Sequence, residues 1–128
     1  MSTIYELLES RAKEVEQYVQ RSKGAKFILK IAGAVRLNIA TVDPTDHVAA
    51  TITKKEVIVS RELLENPHAT INGKSTVIKD LIASTRETDI SNSAQSFEAA
   101  EKRGDASIES HGIKGRLIVS RVRKMLLG

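Results

Sequence analysis

Residues 23–42, KGAKFILKIAGAVRLNIATV, govern the reading of the whole chain, because they combine its longest apolar run, Phe27 to Val42, with four cations and no acid. Ile28, Ile31, Val35 and Ile39 are spaced three, four and four, which places them on one side of a helix turning about 100° per residue. Lys23, Lys26 and Lys30 fall in one narrow sector on the other side. Gly33 and Ala34 lie beside them, small enough to let a phosphate backbone come close. Arg36 lies further round, and Leu29 and Leu37 fall outside the aliphatic face, which assigns them to contact with another subunit. The competing reading is a solvated lysine stripe on a buried helix, a common arrangement.

Towards the N-terminus, Thr3 and Glu6 have capping-box spacing, and Ile4, Leu7, Leu8, Ala12, Val15, Tyr18 and Val19 recur at helical intervals up to Arg21. Gly24 stands where a left-handed cap ends a helix, so Ser22 to Ala25 is predicted to be a turn and the first two helices to form a helix-turn-helix arm. Downstream, Asp43 and Pro44 read as the N-cap and first-turn residue of a third helix. Thr51 to Val59 is rich in β-branched residues and stays open between a short β element and a further helix. Glu62 to Asn66 reads as helical up to Pro67, Asn72 and Gly73 as a turn, and Val77 to Ile82 as a short amphipathic helix. A connection is expected over Ser84 to Ser96, then a helical turn or two from Phe97 to Arg103, stopped by Gly104. The last helix covers Gly115 to Gly128, with Ile118, Val122, Met125 and Leu126 on one face. With 128 residues and no repeat, the expectation is one all-α domain, 1–128, built as a bundle of several helices.

Composition removes several classes of function. The chain has no cysteine, which excludes disulfides and thiolate metal sites. Its aromatic residues are Tyr5, Tyr18, Phe27 and Phe97 alone, too few and too dispersed for a base-stacking platform. His47, His68 and His111 lack metal-ligand spacing, and Ser110 beside His111 is adjacency without an orienting acid. Gly73, Lys74, Ser75 and Thr76 resemble the end of a phosphate-binding loop, but the glycine required five residues earlier is His68, so an ordinary turn with a Ser or Thr cap is preferred. No catalytic residue, metal site or cofactor is therefore expected, and the protein is read as a non-enzyme. Met1 to Glu9 has no basic segment ahead of an apolar run, so no secretory signal is expected, and the apolar run of residues 27–42, broken by Lys30 and Arg36, is too short for membrane insertion.

The net charge of +4 is unevenly spread. A second acid-poor block, Ile113 to Gly128, carries Lys114, Arg116, Arg121, Arg123 and Lys124 on several sides of its apolar stripe. Two uncompensated blocks create a positive potential suited to a polyanion, and contacts to phosphates fix position without reading sequence. An amphipathic first helix, a tight turn at Ser22 to Gly24, and a second helix with lysines opposite aliphatics resemble the coat proteins of filamentous double-stranded DNA viruses of archaea. That resemblance implies helical subunits, often intertwined pairs, that wrap the genome and hold it in the A form, with Lys23, Lys26, Lys30 and Arg36 touching phosphate. The functional expectation is a structural nucleoprotein of a filamentous virion, partnered by double-stranded DNA and by itself or a homologous subunit, with no small-molecule substrate. The alternative is a small dimeric DNA-binding regulator using residues 44–65, which would be cytoplasmic and nucleoid-associated.

Overall fold

The computed structural model describes residues 3–86 and 90–127. Helix α1, Ile4–Arg21, opens with the expected capping box: the Thr3 hydroxyl accepts the Glu6 N–H at 3.1 Å and the Glu6 carboxylate accepts the Thr3 N–H at 3.3 Å. Ser22 then closes one helix and opens the next. Its N–H donates to the Tyr18 carbonyl at 2.9 Å, and its hydroxyl accepts the Ala25 N–H at 3.1 Å. Helix α2 is Lys23–Ala32, so Gly24 sits in its first turn and not in a left-handed cap.

The left-handed cap comes nine residues later. Gly33, at φ 79°, donates its N–H to the Leu29 carbonyl at 2.7 Å and redirects the chain into strand β1, Val35–Val42. The long helix expected over this stretch is therefore half helix and half strand. Its inner face also differs from expectation. Leu29, assigned outward, is 1% exposed, while Ile31, assigned inward, is 52% exposed.

Asp43 and Pro44 start no helix. Asp43 adopts a positive φ of 58° in the turn that folds β1 back onto β2, Asp46–Ile52. A second turn is tied by the Thr53 hydroxyl, which accepts the N–H groups of Lys55 and Glu56, and leads to β3, Val57–Ser60. The β-branched stretch 51–59 is thus β structure. Residues 61–68 cross to the far side of β1 without forming a helix, and β4, Ala69–Lys74, pairs parallel to β1. Asn72 and Gly73 lie inside β4, not in a turn. A Cβ at Gly73 would stand 3.0 Å from the Asp105 carbonyl and from the Ile78 side chain, so any other residue would force the next helix and strand to shift by a few tenths of an ångström. Helix α3, Ser75–Ala83, matches the expected short helix, and α4, Ile90–Arg103, takes in residues 90–96 of the expected connection. Glu87 to Asp89 of that connection, and Gly128, lie outside the described residues. Strand β5, Ala106–Ser110, and helix α5, Gly112–Leu127, complete the order.

The five strands form one sheet in the order β3-β2-β1-β4-β5, antiparallel except for β1 with β4. The fold is α/β, which overturns the all-α bundle. The physical reason is alternation. Val48, Ile39, Ile71 and Ile108 are register partners across β2, β1, β4 and β5, so one sheet face becomes a continuous aliphatic surface under the helices. The opposite face carries Arg36, Asn38 and Thr70 beneath the 61–68 segment. There the buried Asn38 amide donates to the Leu64 carbonyl at 2.9 Å and accepts the Leu64 N–H at 2.8 Å.

Candidate ligand-binding cavity

The apolar interior is divided in two. One cluster, around Ile4, Ile39, Val48, Ile78 and Ile82, packs α1, α3 and α4 on the sheet; the other, around Val19, Ile28, Leu29, Val35 and Ile118, lies beneath α2 and α5. A cavity of about 400 Å³ opens where they part. Its floor is Leu37, Ile52, Ile71 and Ile108, the strand positions of the aliphatic face. Its walls are Val15 and Tyr18 of α1, Leu81 of α3, Ile90, Ala94 and Phe97 of α4, and Ile118, Val122 and Leu126 of α5.

The polar side chains at this wall are Tyr18, Thr85, Ser93 and Arg123. The Thr85 hydroxyl donates to the Leu81 carbonyl at 2.9 Å. The Arg123 guanidinium makes a two-pronged ion pair with the Glu101 carboxylate at 3.0 and 2.7 Å, which raises its pKa further and pins α5 to α4. Such a wall rewards an apolar occupant with about 0.8 kcal/mol per methylene removed from water, and it charges a polar one for every hydrogen bond left behind. The volume lies within the roughly 300–1,000 Å³ typical of small-molecule sites.

The other sheet face holds a polar recess lined by Arg36, Asn38, His68, Thr70, His111 and Lys114. Its groups bind one another. His68 Nδ1 accepts the Arg36 N–H at 3.0 Å, Arg36 Nε donates to the Asn66 carbonyl at 2.9 Å, and Thr70 Oγ1 is 2.8 Å from His111 Nε2. Burial, with the Arg36 and Lys114 charges in second and third place, holds the His68 pKa below its ordinary value. This network anchors the 61–68 segment and the start of α5.

The sequence-selected cations separate into two groups. Lys23, Lys26 and Lys30 on α2, and Lys114, Arg116, Arg121 and Lys124 on α5, are exposed on a packed pair of helices, with the Arg121 guanidinium 5.6 Å from the centre of the Phe27 ring. Arg36 and Arg123 are elsewhere, one on a strand against His68 and the other at the cavity wall. The Gly73 to Thr76 segment forms no phosphate cradle, since β4 runs directly into α3 and Lys74 Nζ pairs with Asp105 at 3.2 Å. Among the described residues no group of three or more His, Cys, Asp or Glu could hold a metal. The cavity itself escaped the sequence reading, although its α5 wall was on one predicted face as Ile118, Val122, Met125 and Leu126.

No family model matches the chain, and no curated protein does. Among solved structures, a protein described as the UbiJ-SCP2 ubiquinone synthesis protein superposes with a TM-score of 0.61 at 12% identity, covering 94% of this chain and 92% of its own. The inverting sec-alkylsulfatase Pisa1 from Pseudomonas sp. superposes with a TM-score of 0.51 at 14% identity, covering 91% of this chain and 15% of that one. These likenesses establish the fold. A DNA-coating nucleoprotein is thereby overturned, and with it the virion coat and double-stranded DNA as partner. The lysine stripe and Arg36 do not share a helix, the chain is not a helical bundle, and its fold is that of the ubiquinone synthesis protein. The regulator using residues 44–65 falls too, because those residues form two strands of a sheet and the start of a loop. Against the expectation of no small-molecule substrate stands a cavity of ligand size.

Proposed function

We propose that this protein binds one apolar, lipid-like molecule in the cavity between the sheet and helices α1, α4 and α5, and that it acts by holding or carrying that molecule, not by transforming it. The observation that carries the reading is a cavity of about 400 Å³ walled almost wholly by aliphatic and aromatic side chains. A carrier needs little more: enough apolar wall to outcompete water, and few polar groups to demand a matching headgroup. Ubiquinone synthesis, the role in the name of the structural neighbour, makes a lipid-soluble quinone, in keeping with cargo of this class.

Titration with a fluorescent fatty acid tests it. Saturable uptake at one molecule per chain is expected, with emission shifted to the blue by a dry environment. Ala94→Phe, which projects a ring from α4 into the cavity, should weaken uptake at least tenfold while leaving the melting temperature unchanged or raised. Uptake unaffected by Ala94→Phe, or no saturable uptake by the wild type, would sink the reading.

A further inference from the structure

Helices α2 and α5 each present two apolar faces, and only one of them is buried. On α2, Ala25, Ile28, Leu29 and Ala32 point inward, while Phe27 and Ile31 are about half exposed. On α5, Ile118 points inward, while Leu117 is 45% and Ile113 87% exposed. The helices run antiparallel. A Cβ on Gly24 would touch the Met125 thioether, and Arg121 lies over Phe27, so four residues onward along α2 and four back along α5 bring Ile31 beside Leu117. The exposed apolar residues therefore form one patch with Ile113 at its end.

Cations frame that patch. At about 100° per residue, Lys23 and Lys30 flank Phe27 and Ile31, Lys26 lies just beyond, and Lys114, Arg121 and Lys124 fall on the sector of Leu117, with Arg116 at its edge. Among the described residues none of these seven is in an ion pair, and neither block, 23–42 nor 110–128, contains an acid. A polyanion in water would satisfy the cations and leave the aliphatic residues with nothing to gain. An anionic bilayer satisfies both, because its headgroups take the lysines and arginines while the interface takes the Phe, Ile and Leu side chains.

We infer that the outer face of the α2–α5 pair is a docking surface for anionic phospholipid bilayers. The inference rests on the carrier reading and gives it a route. The inner faces of the same two helices line the cavity through Ala25, Ile28, Leu29, Ile118 and Val122, so docking places the cavity wall at the lipid surface. Among the described residues no helix is long and apolar enough to cross a membrane.

The test is sedimentation of the protein with vesicles of phosphatidylcholine alone or mixed with phosphatidylglycerol, with no cavity ligand added. Binding is expected only to the mixed vesicles. It should weaken about fivefold for each of Lys23→Gln, Lys26→Gln and Lys30→Gln and be lost in Ile113→Ser with Leu117→Ser, two exposed sites where substitution leaves the core intact. Because the chain has no cysteine, Ile113→Cys can carry an environment-sensitive dye; its emission should shift on mixed vesicles, whereas dye on Thr45→Cys, in the turn at the far end of β1, should not respond. Equal binding to both vesicle types, a response at Thr45 alone, tighter binding to duplex DNA than to mixed vesicles, or a patch consumed by a dimer that the Leu117 variant dissociates would each overturn the docking surface. Fatty-acid uptake by the lysine variants, measured without vesicles, should equal the wild type; its loss there would count against the cavity reading alone.

Discussion

The two faces of strand β1 meet opposite demands within eight residues. Val35, Leu37, Ile39 and Thr41 look towards the helices, where Val35 and Ile39 are packed and Leu37 borders the cavity; Arg36 and Asn38 look towards the 61–68 segment, where every partner is a hydrogen-bonding group. The difference shows that the apolar face is not uniformly packed, while the polar face is tightly paired. A cavity survives on the greasy side because aliphatic walls can stand apart without leaving polar groups unsatisfied, whereas the recess on the polar side is bordered by donors and acceptors that pair with one another, since each one left buried and unpaired would cost about 1–3 kcal/mol.

Substitutions along β1 should rank these environments. Ile39→Ala removes a side chain in full contact and should destabilise the fold by about 3–4 kcal/mol in urea unfolding. Asn38→Ala strands both the Leu64 N–H and its carbonyl and should cost about 2–3 kcal/mol, with the 61–68 segment exchanging its amide hydrogens faster. Leu37→Ala, at a wall that already borders open volume, should cost about 2 kcal/mol or less, at the low end for such truncations, and shift uptake towards bulkier apolar probes. A loss at Leu37 as large as that at Ile39 would mean the cavity wall is packed like the core.

The smallest effect is in pH. His68 is held neutral below its ordinary pKa of 6.5, so the unfolded chain binds its proton more readily than the folded one. The stability this contributes is complete above pH 6.5 and is lost as pH falls from there towards the lowered folded value. His68→Gln should flatten that part of the stability profile. A wild-type curve that rises on acidification through the same window would contradict the assignment.

What was legible in the sequence follows from how patterns overlap. The capping box at Thr3 and Glu6, helix α3 and the apolar face of α5 rest on local spacing, and all three are present. Over 35–42, Val35 and Ile39, four apart, satisfy a helix and a strand equally; Leu37 between them separates the two, because it falls off the helical face but on the same strand face. Gly33 carried the information that the helix ends, but glycine also suits close approach to a ligand. Asp43 and Pro44 open a helix or a turn with the same chemistry, and the choice is made by pairing Thr41 with Asp46, a tertiary fact. The cations on α2 and α5 stand out as two acid-free blocks of sequence, yet their grouping depends on antiparallel packing that no local pattern encodes. The cavity was least visible, since its wall comes from nine separate elements and from residues indistinguishable in sequence from ordinary core.

The most direct test of the central claim is a measurement of intermolecular nuclear Overhauser effects between a bound fatty acid and methyl-labelled protein. The account predicts contacts from the acyl chain to Leu37, Ile71, Ile108 and Ile118. Contacts confined to the exposed methyls of Ile31, Ile113 and Leu117, with none to the strand residues, would contradict it.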